Sequence, residues 1–146
     1  QLLKILDFLN MLSEKIPVIF PVHPRTKKSI NGFGRDLALN RAFKIVEPLR
    51  YREFIALEKN PKFVITDSGG VQEETTYLTI PCLTLRPNTE RPITITEGTN
   101  ELATIENMES KIESIFAGNW KQGKIPELWD GKAGQRIVHI LKGLEL

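Results

Sequence analysis

Four short apolar runs, separated by stretches of helical periodicity, constrain what this chain can fold into more than any other feature. PVIFPV (Pro17 to Val22), KIVEP (Lys44 to Pro48), KFVIT (Lys62 to Thr66) and PCLTL (Pro81 to Leu85) are bounded by turn residues and read as buried strands. Before them, Leu2 to Lys15 sets Leu2, Leu3, Ile5, Leu6, Phe8, Leu9 and Leu12 close to one helical stripe, which Pro17 stops. Between them, Tyr51 to Lys59 carries Phe54, Ile55 and Leu57 on an apolar face, and Val71 to Leu78 fits two turns. Thr26 to Asn31 is a shorter helical candidate capped by Thr26. Strands alternating with helices predict a three-layer α/β fold with a parallel sheet covered on both faces. The last third changes character: a helix over Asn107 to Ala117, the irregular GNWKQGKIPELWDG, and a final helix from Lys132 to about Leu141.

With 146 residues, 40% hydrophobic, the chain is long enough for one packed core and too short for two ordinary domains, so 1–146 is expected to be a single domain. The formal charge is +2, and the densest basic patch, Arg25 to Lys28, is too short for a nucleic-acid stripe. No apolar run approaches the roughly 18 residues that span a bilayer, and the start lacks a signal-peptide pattern, so no membrane partner is expected. Cys82 is the only cysteine and lies in an apolar run, which excludes an intramolecular disulfide and reads as a buried thiol in a reducing, cytoplasmic compartment. Gln1 begins almost inside the first apolar pattern, so the expectation is a piece of a longer chain.

Ligands of open α/β sheets bind at the carboxyl ends of the strands. There TDSGGVQEE, Thr66 to Glu74, has the clearest mechanism: glycines let backbone N–H groups approach an anion, the helix start adds positive potential, and Ser68 adds a hydroxyl. It is neither a Walker motif nor GxGxxG. On the motif alone a second reading stands beside the site: Asp67 or Ser68 caps a helix whose dipole Glu73 and Glu74 complement. Two acids are the wrong charge for a bare phosphate. Neighbours on a helix point about 100° apart, however, so one carboxylate can turn to a ribose diol while the phosphates stay at the glycines.

RPNTERP, Arg86 to Pro92, holds two arginines between prolines, a stiff presentation for phosphate or carboxylate, or else a solvated turn. His23 ends the first apolar run, where it can face a ligand, but a lone His without a paired carboxylate defines no catalytic machine. His139, in QRIVHIL, is expected to pack a helix, and Trp120 and Trp129 to pin the irregular segment. HExxH, CxxC and Asp/His clusters are lacking, so no metal is expected.

Taken in order, VHPRT, EPLRYREF, TDSGGVQEE, TIPCLTLRPNTERP, EGTN and DGKAGQRIV resemble the C-terminal half of the non-hydrolysing UDP-N-acetylglucosamine 2-epimerases over most of the chain. The resemblance implies a Rossmann-like domain, the C-terminal half of a glycosyltransferase-B-type architecture with substrate in the cleft between two domains. It implies that the backbone of Leu49 and the ring of Phe54 hold uracil, that Ser68, Gly69 and Gly70 hold the diphosphate, and that Glu74 takes the ribose hydroxyls. It further implies that Arg91 lies at the substrate, that His23 and Arg25 border the cleft, and that Glu73 is a helix-surface or interdomain residue. The family reaction, elimination of UDP to a 2-acetamidoglucal and re-addition with inverted C2, needs no redox cofactor or metal.

By the same resemblance, the N-terminal domain with the catalytic carboxylates is missing, so no catalytic residue is assigned and the fragment is expected to be inactive. The sheet is expected to lack its first, central strand, and the open position to favour self-association into a homo-oligomer. The expected partners are UDP or a UDP-sugar and the missing domain. A stand-alone UDP-sugar binding module and a glycosyltransferase of the same architecture are the competing readings.

Overall fold

The structure, a computed structural model, describes residues 1–33 and 39–144. They belong to two compact units, Gln1–Leu57 and Glu58–Leu146. Among the described residues, no helix is long and apolar enough to cross a membrane.

In the first unit, helix α1 (Leu2–Leu12) buries Leu6, Leu9 and Leu12, the inner line of the predicted stripe. Ser13 ends it, its hydroxyl donating to the Asn10 carbonyl at 2.6 Å, and Pro17 prevents any continuation. Strand β1 (Val18–Pro21) leads into α2 (Pro24–Asn31), and β2 (Phe43–Val46) lies parallel to β1 with Val18 opposite Phe43 and Pro21 opposite Val46. Phe20 and Phe43 stack across this ladder at 6.5 Å. Helix α2 starts earlier than Thr26. Pro24, whose fixed φ suits a first helical turn, opens it, and His23 caps it by accepting the Arg25 N–H at 3.2 Å on Nδ1. Helix α3 (Tyr51–Glu58) opens with Glu53 accepting the Arg50 N–H at 3.0 Å.

The second unit carries β3 (Val64–Thr66), α4 (Gly69–Tyr77), β4 (Cys82–Thr84), α5 (Pro92–Thr96), β5 (Asn100–Leu102), α6 (Ile105–Phe116) and α7 (Ala133–Gly143). Its sheet is parallel in the order β3-β4-β5, with Val64, Cys82 and Asn100 in register. β4 is the buried middle strand, all three of its residues inaccessible. Met108, Ile112 and Ile115 of α6 fall on one helical face and complete the core with Leu83 and Ala103. The Cys82 thiol is buried there, and burial pushes it up to about 11, so it is a packing residue rather than a thiolate.

Two elements of this unit were not evident in sequence. α5 is only five residues and begins at Pro92, inside what reads as a loop; β5 is three residues with a polar inner member, Asn100. Both are held by side-chain hydrogen bonds rather than by an apolar period.

Candidate functional site

The ends of β3 and β4 and the starts of α4 and α5 gather the motif residues of the second unit. Ser68 occupies the N-cap of α4 in an extended conformation, and its N–H donates to Thr66 Oγ1 at 3.0 Å. The first backbone bond of the helix runs from Gln72 N–H to the Ser68 carbonyl at 3.2 Å, so the N–H groups of Gly69, Gly70 and Val71 precede the intrahelical ladder. The Ser68 hydroxyl makes no capping bond, which leaves it beside those donors.

Packing does not require glycine at either position. A Cβ on Gly69 would sit 3.8 Å from Arg91 Cγ, and one on Gly70 would sit 3.9 Å from Ser68 Oγ, both ordinary contacts, and neither glycine has a positive φ. Gly98 is the opposite case: a Cβ there would come within 2.5 Å of Thr76 Oγ1 and 2.6 Å of the Thr94 carbonyl. Gly98 is a packing glycine, whereas Gly69 and Gly70 leave space in front of free N–H groups. Such a bare helix start suits an anion.

Arg91 stands over this start. Its Nε lies 2.9 Å from Glu73 Oε1, with both side chains half-exposed, so the nearer of the two motif acids fixes the arginine. Its backbone is fixed as well: the Arg91 N–H donates to Thr89 Oγ1 at 2.9 Å, and its carbonyl accepts from Thr94 N–H at 3.0 Å and Thr94 Oγ1 at 2.7 Å. Thr89 then donates to Gln72 Oε1 at 2.5 Å. Asn100 donates to Thr94 Oγ1 at 3.0 Å and to Gln72 Oε1 at 3.3 Å, and accepts from Thr84 Oγ1 at 2.7 Å. Gln72, Thr84, Thr94 and Asn100 are essentially inaccessible. This buried network ties the Gly-rich motif, TERP and GTN into one body, and its dry surroundings make each bond costly to break.

Glu74 turns the other way. It meets Glu58, the last residue of α3, whose carboxyl is 3% exposed. Burial first, then the Glu74 charge and the hydrogen bond between the two carboxyls, push Glu58 up to about 8. Neither Glu58 oxygen has a donor among the described residues.

The arrangement is one of a known family. The family profile for UDP-N-acetylglucosamine 2-epimerase matches residues 1–142. This chain belongs to the UDP-N-acetylglucosamine 2-epimerase family. Within that epimerase family it is 43% identical over 148 residues to the UDP-N-acetylglucosamine 2-epimerase of Methanococcus maripaludis, covering 96% of this chain and 39% of that protein. It is 37% identical over 148 residues to the UDP-2,3-diacetamido-2,3-dideoxy-D-glucuronate 2-epimerase of Pseudomonas aeruginosa, covering 99% and 40%. The crystal structure of Methanocaldococcus jannaschii UDP-GlcNAc 2-epimerase in complex with UDP-GlcNAc and UDP matches with a TM-score of 0.80 at 41% identity, over 98% of this chain and 41% of that one. The chain spans about two fifths of the length of the curated relatives it matches. The likeness bears out the expected Rossmann-like half of a glycosyltransferase-B-type fold.

Of the residues singled out in this epimerase-family sequence, the second unit brings together Ser68, Gly69, Gly70 and Arg91, with Glu74 one helical position beyond Glu73. Glu73, expected at a helix surface or between domains, is half-exposed on α4 and pairs there with Arg91. The first unit holds the others: His23 and Arg25 exposed at the start of α2, and Leu49 and Phe54 half-buried before and within α3. His139 does not pack; it is exposed on α7 together with Ile137, Val138 and Ile140. Trp120 does anchor its segment, donating from Nε1 to the Thr99 carbonyl at 2.8 Å.

Gln72, Thr89, Thr94, Asn100 and Glu58 were missed in sequence. Glu58 had a signal: it falls four residues after Phe54, on the apolar face of its helix, where a carboxylate breaks the pattern.

Proposed function

We propose that this chain is the UDP-holding part of an enzyme that interconverts UDP-N-acetylglucosamine and UDP-N-acetylmannosamine. The observation that carries the reading is the bare start of α4, two glycines not required by packing, faced by an arginine held on Glu73. In this reading Ser68 Oγ and the N–H groups of Gly69 and Gly70 hold the diphosphate, Arg91 adds its guanidinium charge, and Glu74 accepts from the ribose hydroxyls. Leu49, through its backbone, and Phe54 take the uracil, and His23 and Arg25 border the substrate.

The chemistry follows from where charge develops. Loss of the C2 proton and cleavage of the C1–O bond give the 2-acetamidoglucal and UDP, and negative charge grows on the β-phosphate. Fixed N–H groups and a guanidinium stabilise that charge without reorganising. They also keep UDP in place until it re-adds at C1 and a proton returns to the other face of C2. The proton-transferring carboxylates belong to a further domain of the enzyme, and this chain supplies none. The Pseudomonas aeruginosa relative, with a different UDP-sugar in its name, supports assigning this half to UDP rather than to a particular sugar. We also place the protein in the cytoplasm, as a homo-oligomer.

Titration calorimetry with UDP tests the binding part: Glu74→Ala should weaken affinity by about 1.5–3 kcal/mol through loss of a charge-assisted contact. Unchanged affinity returns Glu74 to a helix-dipole role. For the reaction, the longer enzyme containing this chain should exchange the C2 hydrogen of UDP-N-acetylglucosamine in deuterium oxide. A glycosyltransferase need not exchange it, and absence of deuterium at C2 refutes the epimerase.

A further inference from the structure

Glu58 is the one buried acid of the described second unit that the nucleotide site does not use. It closes α3 with its carboxyl 3% exposed, and both of its oxygens lack a donor from any described group. The ionisable groups that face it are the Glu74 carboxylate from α4 and the Cys82 thiol from β4. Neither is a cation. Lys121 acts on Cys82 and has its own partner, the Ile95 carbonyl at 2.6 Å. An ionised Glu58 in this setting would bury a charge against a second carboxylate with no donor to either of its oxygens. A neutral Glu58 removes the conflict, because its O–H becomes the donor that the Glu74 carboxylate can accept.

We propose that Glu58 is a positioning residue for nucleotide binding: as a neutral acid it donates its carboxyl hydrogen to Glu74 and so fixes the direction in which Glu74 presents its remaining lone pairs to a ribose diol. The proposal rests on the assignment of Glu74 to the ribose. Glu74 is half-buried, so the bond to Glu58 restricts its side chain before any ligand arrives. Ionisation of Glu58 replaces that bond with repulsion between neighbouring carboxylates. Since burial and Glu74 push Glu58 up to about 8, the change falls within an accessible pH range.

The test is calorimetric titration of the protein with UDP from pH 6.5 to 9.5, for wild type, Glu58→Gln, Glu58→Ala and Glu74→Ala. The amide of Glu58→Gln keeps an N–H donor for Glu74 and cannot ionise. Wild-type affinity should fall about tenfold across the range, whereas Glu58→Gln should stay within about threefold of its starting value. Taking the ratio of the two cancels ionisation of UDP itself. Glu58→Ala should be weaker than Glu58→Gln by about fivefold or more at neutral pH. Parallel pH profiles for wild type and Glu58→Gln overturn the proposal, and so does equal affinity of Glu58→Gln and Glu58→Ala. If Glu58→Ala fails to fold, the comparison of the wild-type and Glu58→Gln profiles decides alone. Carboxyl carbon NMR reads the proton directly, and a Glu58 signal that titrates near its ordinary 4.5 also overturns the proposal. Unchanged UDP affinity in Glu74→Ala removes the ribose assignment and the proposal with it. Weakened affinity there, with Glu58 variants identical to wild type, removes only the role of Glu58.

Discussion

Gly69 and Gly98 are the same residue put to two uses. A methyl at Gly69 meets only ordinary contact with Arg91 Cγ at 3.8 Å, so Gly69→Ala should unfold within a degree or two of wild type. It should nevertheless lose at least about tenfold in UDP affinity, because the methyl occupies the approach to the N–H groups. Thermal melting and calorimetry on that variant separate the two effects. Glu58 gives a second expectation at this scale. The folded protein keeps its proton up to about 8, against 4.5 ordinarily, so its contribution to stability is full below about pH 4.5 and is lost as pH rises through 8. Glu58→Gln should therefore gain on wild type progressively between pH 5 and 8.5 in denaturant melts, and a constant difference counts against it. The Arg91–Glu73 pair is half-exposed and worth at most ~1 kcal/mol to the fold. It also holds the guanidinium over the start of α4.

Among the elements, α4 leaves its start bare while its body packs. Val71, Gln72, Thr75 and Thr76 are buried, and Thr76 lies against the bare backbone of Gly98. Gly98→Ala drives a methyl into Thr76 and the Thr94 carbonyl at 2.5–2.6 Å, and should cost about 1–3 kcal/mol in chemical denaturation with the slope unchanged. The strands and long helices were legible in sequence because apolar residues repeat along them: Leu6, Leu9 and Leu12 in α1, Met108, Ile112 and Ile115 in α6. α5 and β5 were not, since Thr94 and Asn100 are buried by hydrogen bonds that no period of hydrophobicity reports. The same distinction governs the site. Ser68, Gly69, Gly70 and Arg91 are visible as residue types suited to an anion, but that Glu73 holds Arg91 and Glu58 meets Glu74 depends on contacts from distant segments.

For the molecule as a whole, the strands fall into two parallel ladders, β1-β2 and β3-β4-β5. β1, β2, β3 and β5 each keep one edge without a ladder partner among the described residues, and unpaired strand edges are templates for association. Light scattering on the chain should show self-association that grows with concentration; a monomer that melts cooperatively at high temperature is the contrary result. The hydroxyl and amide network around Gln72 has a further consequence for how such a sequence can change. One oxygen serves Thr89 and Asn100 together, so altering Gln72 alone strands two donors, and altering either donor leaves the rest of the network intact but loose. Viable variants must move through several positions in concert. A change in any one of the three motifs is therefore felt in the other two.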